Sequence, residues 1–308
     1  MIKIVERIEE ANCVTHSGTM HADEVFATAF LHMYLGDIKV FRTSEVDFDR
    51  VQEGTLVYDV GRREFDHHQI DALKRDNGIT YSSVGLLWRK FGKDFLKKYD
   101  FKNIDALFLG IDKDFIEGID ADDNGVFPKI EANYKVKTLP NVIKIFNPSY
   151  QADETESEQF LKAVSLAEMI WEEEIYYVNG KVIADKKIQS LLEESDPDCK
   201  YLILDEYLPY EDTILDNPLA NNILFVAFPS NRGGYAIKTV SKSSEDRSAR
   251  LLFPEEWAGL QNEELAEVSG IKGLRFCHTG RFIVSCNTMD DVLQVLKYCV
   301  ELDKEVRL

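Results

Sequence analysis

The segment Asn12–Leu35, NCVTHSGTMHADEVFATAFLHMYL, decides the fold of the N-terminal part of this chain. Its first residues, up to His16, are β-prone, whereas Glu24–Leu35 is dense in helix-compatible apolar residues. Gly18 permits a turn between these two parts. The segment therefore predicts a strand that ends in a polar turn, followed directly by a helix.

The same alternation of strand and helix continues on both sides of this segment. Further strands are predicted at Lys3–Val5, Lys39–Arg42 and Thr55–Val60, and a further helix through Val84–Phe91. Ser82 and Ser83 precede that helix, and serine is a good N-cap residue. This alternation predicts an α/β fold with a mostly parallel sheet covered by helices.

One long helix is predicted between residues 151 and 200. Its apolar residues recur at helical spacing on one face: Phe160, Ala163, Val164, Ala167, Ile170 and Trp171. The opposite face is rich in Glu and Lys, so we expect a solvated helix that packs on the first domain. The sequence SDPDC, which follows Glu194, breaks this helix. We therefore place the domain boundary near Ser195–Lys200, with predicted domains at residues 1–198 and 199–308.

The second domain returns to strand signals. Four strands are predicted, at Tyr201–Asp205, Asn221–Phe228, Gly234–Val240 and Arg281–Ser285. Two helices, Glu263–Val268 and Asp290–Leu302, are predicted before and after the last of these strands. The turn PSNRGG between the second and third strands has hairpin chemistry. These segments predict a second domain that contains both strands and helices.

The chain is strongly acidic. Its 308 residues include 36 basic and 55 acidic residues, and 36 − 55 gives a net charge of −19. Such a charge repels polyanions at long range, so a phosphate-binding site would need a local reversal of sign. Residues 231–308 contain 11 basic and 12 acidic residues, a net −1, which leaves −18 for residues 1–230.

The composition also bears on the cellular compartment. No apolar run approaches the roughly 20 residues that span a bilayer, and the N-terminal segment is too charged for a signal peptide. The cysteines are odd in number and form no CxxC pair: Cys13, Cys199, Cys277, Cys286 and Cys299. The missing apolar run argues against a membrane partner. The cysteine pattern argues against a disulfide framework and predicts a location in the reducing cytoplasm.

Two clusters of candidate metal ligands follow the first strands. His16, His21 and Asp23 supply the imidazoles and the carboxylate that Mn²⁺, Fe²⁺ or Zn²⁺ accept, although loop and helix-cap roles also fit. Asp59 ends the apolar run Leu56–Val60, at the carboxyl end of a strand where open α/β sheets place their ligands. Turn chemistry is the alternative explanation for Asp59.

Two more clusters lie further along the chain. Asp66–Gln69, DHHQ, places an acid beside two imidazoles, so the acid can orient one ring while both rings approach a shared centre. A polar surface loop is the alternative, but only His32 and His278 lie outside these clusters. The segment Ile119–Gly125, IDADDNG, lacks the spacing of a calcium loop, and by itself indicates an acidic turn.

Together the four clusters supply enough ligands for two divalent ions that share a bridging carboxylate. Two such ions can clamp a phosphoryl centre during in-line attack by hydroxide. The sequence has no convincing Ser/His/Asp or Cys/His arrangement, and neither a GxxxxGK[ST] loop nor a GxGxxG turn after a strand. Nucleotide triphosphatase and Rossmann functions therefore lack support.

This series of motifs resembles the DHH phosphoesterase superfamily and, within it, the family named after the melanocyte-proliferating gene product. The matching segments extend over essentially the whole chain: THSGTMHADE, EFDHHQ, SSVGLLW, IDADDNG, FPSNRGG and GLRFCHTGRF. The resemblance implies an N-terminal parallel-sheet domain, a smaller C-terminal α/β domain and an active-site cleft between them. It also implies Mn²⁺-dependent phosphodiester hydrolysis, with Mg²⁺ or Co²⁺ as other ions, and 3′→5′ removal of nucleotides from RNA or short oligonucleotides.

The resemblance further implies roles for individual residues. His16, His21, Asp23, His67 and Asp120 would be metal ligands, Asp59 the bridging ligand, His68 the residue that faces the scissile phosphate, and Arg250, His278 and Arg281 the substrate contacts. Glu117 is followed by Gly118 where the family usually has two acids, so the choice among Asp120, Asp122 and Asp123 stays open.

Three functions remain open on the sequence alone. The first is a two-metal phosphoesterase that acts on nucleic-acid fragments, and the second uses the same site on pyrophosphate or a dinucleotide. The third is a non-catalytic metal-binding protein. The net charge of −19 favours short fragments over long duplexes. The sequence does not indicate an oligomeric state.

Overall fold

Short parallel strands and the helices that follow them build the N-terminal half of the chain. A computed structural model describes residues 1–150 and 153–307. The chain divides into two compact units, Met1–Val182 and Ile183–Leu308. The mixed α/β class predicted from the sequence is confirmed.

The first unit contains one sheet and most of the helices of the described chain. Its strands are β1 (Ile2–Ile4), β2 (Cys13–His16), β3 (Ile38–Thr43) and β4 (Leu56–Val57). Its helices are α1 (Ala22–Leu35), α2 (Ser83–Leu96), α3 (Ile104–Ile111), α4 (Glu117–Asp123), α5 (Leu139–Lys144) and the first part of α6 (Glu156–Glu194). A π-helical turn, Asp112–Ile116, joins α3 to α4.

The order of the strands determines where polar side chains gather. The sheet has the order β1-β3-β2-β4, and each pair of neighbours is parallel. The chain leaves β2 through α1 towards β3 on one side, and later returns to β4 on the other side. The carboxyl ends of β2 and β4 are thus adjacent at a topological switch point, where open α/β sheets bind ligands. His16 ends β2, and Asp59 follows β4.

Helix α1 is the centre of the first hydrophobic core. Every residue from Ala22 to Leu31 is buried, including three polar ones, so the helix is covered on nearly all sides. Trp171 of α6 packs against it, and its Nε1 donates a hydrogen bond to the Phe26 carbonyl at 3.1 Å. The rings of Trp88 and Trp171 stack at 5.4 Å. This packing fixes the N-terminal end of α1, from which His21 and Asp23 project.

Helix α6 supplies residues to the cores of both units. Its predicted apolar face is confirmed, because Phe160 to Trp171 lie in the first core. Its later residues Ala184, Ile188 and Leu192 belong to a core of the second unit. The units therefore divide at Val182, inside the helix, rather than near Ser195–Lys200, where the helix ends. The first two residues of the helical segment expected over 151–198 lie outside the described residues.

The second unit is built on a mixed sheet. Its strands are β5 (Tyr201–Ile203), β6 (Phe225–Pro229), β7 (Tyr235–Thr239), β8 (Leu274–Cys277) and β9 (Ile283–Cys286). Its helices are α7 (Glu211–Asp216), α8 (Asn262–Ser269) and α9 (Met289–Arg307). The order is β5-β6-β7-β9-β8, with β5 and β6 parallel and the other pairs antiparallel.

The hairpin predicted from PSNRGG is present between β6 and β7. Gly233 and Gly234 have φ angles of 83° and 66°, which glycine adopts without strain. Strand β8 was not predicted from the sequence. Within the described part of the chain, no helix is both long and apolar enough to cross a bilayer. The five cysteines are all free thiols.

Candidate metal centre

Asp59 lies in a backbone turn that brings the DHHQ segment beside it. The residue adopts a left-handed φ of 56°, which is uncommon for a residue other than glycine. Its backbone N–H donates to the Phe65 carbonyl at 3.0 Å, and Tyr58 forms a parallel bridge with Phe65. The chain after Phe65 therefore runs alongside Asp59, and His67 and His68 follow at once.

A first group of ligands surrounds the buried carboxylate of Asp59. Ligand atoms of Asp23, Asp59, His67 and Asp123 all lie within 4.8 Å of one another. His67 Nε2 lies 2.9 Å from Asp123 Oδ2, and His67 Nδ1 lies 3.7 Å from Asp59 Oδ1. The end of β4, the loop after Phe65, the start of α1 and the end of α4 thus converge on one point in the first unit.

A second group joins the first through Asp59. His16, His21 and Glu24 supply ligand atoms that also lie within 4.8 Å of one another. His16 Nε2 is 3.1 Å from Glu24 Oε1 and 3.1 Å from Asp59 Oδ2. Asp59 therefore contacts imidazoles of both groups, as a bridging carboxylate would. We call the seven residues of the two groups the metal cluster: His16, His21, Asp23, Glu24, Asp59, His67 and Asp123.

Asp23 is held in place by the N-terminus of α2. Its carboxylate accepts hydrogen bonds from the backbone N–H groups of Ser83 at 3.0 Å and Val84 at 2.6 Å. Ser82 occupies the N-cap position as predicted, but its hydroxyl does not cap the helix. That hydroxyl lies 2.7 Å from Asp23 and 2.6 Å from Asp120, so it connects the two carboxylates.

Asp120 lies outside the metal cluster. Arg75 Nη2 donates to its carboxylate at 2.5 Å, and the Ser82 backbone N–H donates at 3.0 Å. Arg75 also pairs with Asp112 in the π-helical turn. Asp123, one helical turn after Asp120, has its carboxylate among the candidate ligands. Asp120 instead fixes the N-terminus of α2, against which Asp23 rests.

The electrostatics of the metal cluster favour a bound cation. Burial raises the pKa of Asp59, and the charge of Asp23 raises it further. Burial also raises the pKa of Asp23, with a contribution from Asp123. Burial is the larger cause of both pKa shifts, and repulsion between the neighbouring carboxylates adds to it.

The imidazoles respond to the same negative charge. Burial lowers the pKa of His16, but the carboxylates of Asp59 and Glu24, each 3.1 Å from its Nε2, outweigh this effect and raise it to about 11. Burial likewise opposes protonation of His67, yet Asp123 and Asp23 raise its pKa to about 9. Protons on these rings offset carboxylate charge that a divalent ion would otherwise neutralise.

Unpaired polar atoms support the same interpretation. Among the described residues, His16 Nε2, Asp59 Oδ1 and His67 Nδ1 are buried and have no partner with hydrogen-bond geometry. Buried polar atoms without partners are costly, and these three are the types of atom that bind divalent ions. The residues present therefore fit the metal ions that the resemblance implies.

His68 differs from its neighbour, because its side chain is 58% exposed. Asp66 accepts hydrogen bonds from the His68 backbone N–H at 3.0 Å and from its Nδ1 at 2.8 Å. Partial burial of Asp66 opposes ionisation, but backbone N–H groups of His68 and Arg62 lower its pKa. Asp66 thus fixes the orientation of His68, which lines an open cavity of about 380 Å³ with His16, His21 and Asp59.

The three predicted substrate contacts lie in the second unit and have different surroundings. Arg250 donates to the backbone carbonyls of Ala220 at 2.7 Å, Ile223 at 2.8 Å and Ser241 at 3.1 Å, so its guanidinium already stabilises local backbone. His278 and Arg281 share the turn between β8 and β9, where His278 Nδ1 accepts from the Gly280 N–H at 2.9 Å. Their roles in substrate binding stay predictions.

Glu24 is the one member of the metal cluster that the sequence analysis did not propose. The side chain of Glu24 caps α1 by accepting a hydrogen bond from the His21 N–H at 2.9 Å, while its other oxygen faces His16. The signal was present in the sequence, since Glu24 directly follows Asp23. Glu24 is also the first residue of the apolar run Glu24–Leu35, which predicts a helical position for it rather than a ligand role.

Comparison with known proteins places the chain in a family. The sequence model named MYG1 exonuclease, described as an uncharacterised protein family (UPF0160), matches residues 12–300. The chain belongs to this MYG1 exonuclease family. Membership confirms the family resemblance drawn from the motifs, and with it the prediction of a hydrolytic enzyme.

Relatives of this family match along most of their length. The MYG1 protein of Dictyostelium discoideum is 29% identical over 91% of this chain and 93% of its own length. The human MYG1 exonuclease is 27% identical over 92% of this chain and 84% of its own length.

Among solved structures, RecJ in complex with Mg²⁺ from Thermus thermophilus matches with 10% sequence identity and a TM-score of 0.27. That match covers 96% of this chain and about half, 51%, of the RecJ chain.

Proposed function

We propose that this chain is a divalent-metal-dependent phosphodiesterase that removes nucleotides from the 3′ end of RNA or short oligonucleotides. The observation that carries the proposal is the position of Asp59. Its two carboxylate oxygens face different imidazoles, His67 at 3.7 Å and His16 at 3.1 Å. A buried carboxylate shared by two groups of ligands suits two ions that act on one phosphate.

The metal cluster would hold the ions through imidazole nitrogens and carboxylate oxygens. Asp23, Asp59, His67 and Asp123 would bind one ion, and His16, His21 and Glu24 would bind the other together with Asp59. A mixed set of these donors, without thiolates, suits Mn²⁺, and Mg²⁺ or Co²⁺ are further candidates. Bound divalent ions lower the pKa of water and polarise phosphoryl oxygens.

His68 is the residue proposed to act on the leaving group. Because Asp66 accepts from His68 Nδ1, the Nε2 nitrogen is the one that can reach a substrate in the cavity. A proton on that nitrogen can neutralise the oxygen that leaves the scissile phosphorus. Asp66 is a positioning residue in this scheme, since it fixes which ring nitrogen faces the cavity.

The proposed substrate is short and single-stranded. A chain of charge −19 repels long duplexes, whereas a short end can reach a cavity in which metal ions reverse the local charge. The free state of all five cysteines is what the reducing cytoplasm maintains, and we place the enzyme there as part of the proposal.

Labelled substrates test this function directly. We expect the purified chain with Mn²⁺ to shorten RNA from the 3′ end, so that 5′-labelled RNA gives a ladder and 3′-labelled RNA gives mononucleotides at once. DNA and pyrophosphate are the parallel substrates. Asp59→Asn should remove the activity, while the exposed and nearby Asp71→Asn should retain it.

Two results would contradict the proposal. Hydrolysis of pyrophosphate without release of nucleotides would establish a hydrolase of small phosphates. Binding of Mn²⁺ without hydrolysis of any of these substrates would establish a non-catalytic metal-binding protein.

A further inference from the structure

Four residues of the second unit form a row across its sheet. Phe228 on β6 pairs with Ala236 on β7, Ala236 pairs with Ser285 on β9, and Ser285 pairs with Phe276 on β8. Residues that pair directly across strands project from the same face of a sheet. The row therefore reads large, small, small, large, with a floor of two small side chains between two aromatic walls. We call it the trough.

The dimensions of the trough leave room for a small molecule. Neighbouring strands lie about 4.8 Å apart, so three intervals separate the strands of Phe228 and Phe276 by about 14 Å. A cavity of about 760 Å³ lies over the row and is lined by all four of its residues. That volume is typical of small-molecule sites. Tyr207 packs edge-on against Phe228 at 5.1 Å and extends this wall, while its side chain remains 63% exposed.

The charge around the trough is positive in a strongly acidic protein. Arg232 and Arg275 line the cavity, and no acidic residue does among those described. Among the described residues, no carboxylate oxygen lies within 4.0 Å of a guanidinium nitrogen of Arg232 or Arg275. The smaller cavity of this unit differs, since Glu211 there pairs with Lys238 at 2.8 Å and with Arg247 at 4.0 Å.

An irregularity in β8 explains how Arg275 reaches the trough. The register of β8 shifts between Leu274 and Phe276, and such a shift can turn consecutive side chains to one face. Arg275 Nη2 donates to the Gly233 carbonyl at 2.6 Å, which ties the guanidinium to the β6–β7 loop beside Arg232. Its Nε is buried without a hydrogen-bond partner among the described residues.

The arginines of the trough lie away from the turn that carries His278 and Arg281, although the rings of Phe276 and His278 lie 6.3 Å apart. Tyr235, at the start of β7, pairs with Cys286, whereas Lys238, towards its end, pairs with Ile283. The turn with His278 and Arg281 precedes Ile283, so it lies at the opposite end of β9 from the β6–β7 loop.

We propose that the trough is a nucleotide-binding site. The base would stack on one aromatic wall, above Ala236 and Ser285, and the phosphate would contact Arg232 and Arg275. An aromatic ring and an anion are the two features that this lining complements, through stacking and charge-assisted hydrogen bonds. This site goes beyond the proposed hydrolysis and does not depend on the metal cluster.

Calorimetric titration of the full chain with AMP tests the site, with Mn²⁺ and again with EDTA. We expect AMP to bind in both conditions, and adenosine and inorganic phosphate to bind at least about 10-fold more weakly because each lacks one half of the ligand. Arg232→Ala and Tyr207→Ala, both at exposed positions, should each weaken AMP binding by about 10-fold. Arg247→Ala, an exposed arginine of the other cavity, and Asp59→Asn should leave it unchanged.

A five-nucleotide RNA titrated against Asp59→Asn distinguishes two sources of the same chemistry. Tighter binding of the RNA than of AMP that is lost when Arg232→Ala is added would show that the trough holds a nucleotide within a strand. Any other order of affinities would show a free nucleotide. Absence of AMP binding, or equal affinity in wild type, Arg232→Ala and Tyr207→Ala, would overturn the proposal. So would a dimer in solution that Tyr207→Ala dissociates, because the trough would then be an interface between copies.

Discussion

The metal cluster and the trough concentrate opposite chemistry in the two units of the chain. The metal cluster gathers four carboxylates and three imidazoles, and leaves His16 Nε2, Asp59 Oδ1 and His67 Nδ1 without hydrogen-bond partners among the described residues. The trough gathers aromatic rings and two arginines without a nearby carboxylate. A net charge of −19 describes neither site, so the ligand of each is decided by local arrangement.

The largest expected effect comes from Asp59. Asp59→Asn should abolish Mn²⁺-dependent hydrolysis, because both groups of ligands lose the carboxylate that they share. Burial disfavours the charged form of Asp59, so the variant should melt no lower than wild type in EDTA. Hydrolysis of labelled RNA and a thermal melt measure the two effects. Activity retained in Asp59→Asn would break the assignment of this cluster to catalysis.

The second test separates Asp120 from Asp123. Asp120→Asn should destabilise the fold by about 3 kcal/mol, because it removes one carboxylate from the buried Arg75. Asp123→Asn should leave unfolding nearly unchanged in EDTA and weaken Mn²⁺ binding by at least about 10-fold. Urea denaturation and Mn²⁺ titration compare the two variants. The reverse pattern would restore Asp120 as the ligand.

His68 provides the third test, within the cavity of the metal cluster. His68→Gln should lower kcat by about 100-fold, since general acid catalysis contributes at least that much, and should leave Mn²⁺ affinity unchanged. A loss of Mn²⁺ affinity in this variant would make His68 a ligand. Steady-state kinetics on a chromogenic phosphodiester and metal titration give both values, with the exposed Asp71→Asn as the control.

The smallest expected effect concerns the trough. Manganese should raise the melting temperature of Arg232→Ala as much as that of wild type, because the trough contributes no ligand to the metal cluster. Thermal melts with and without Mn²⁺ measure this difference. A reduced effect of Mn²⁺ in Arg232→Ala would show that the trough and the metal cluster are coupled rather than independent.

Two residues of the metal cluster can be predicted to meet because each lies where a strand ends. His16 ends β2 and Asp59 follows β4, and the topology alone brings the carboxyl ends of these neighbouring parallel strands together. The choice between Asp120 and Asp123 could not be made in the same way. Both lie on α4, one turn apart, and only the distant Arg75 and Ser82 decide which carboxylate they engage.

The trough could not be predicted from the sequence for a related reason. Its row depends on the register of four strands whose residues lie far apart in the chain, from Phe228 to Ser285. Strand β8 was not predicted, and the register shift that turns Arg275 towards the cavity has no sequence signal of its own. The hairpin between β6 and β7, in contrast, was predicted because local turn chemistry specifies it.

The number of metal ions bound per chain tests the central claim most directly. Equilibrium dialysis against Mn²⁺, followed by elemental analysis, should give two ions per chain for wild type and at most one for Asp59→Asn. Two ions per chain in both proteins, or fewer than two in wild type at saturating Mn²⁺, would contradict a two-metal centre that shares Asp59.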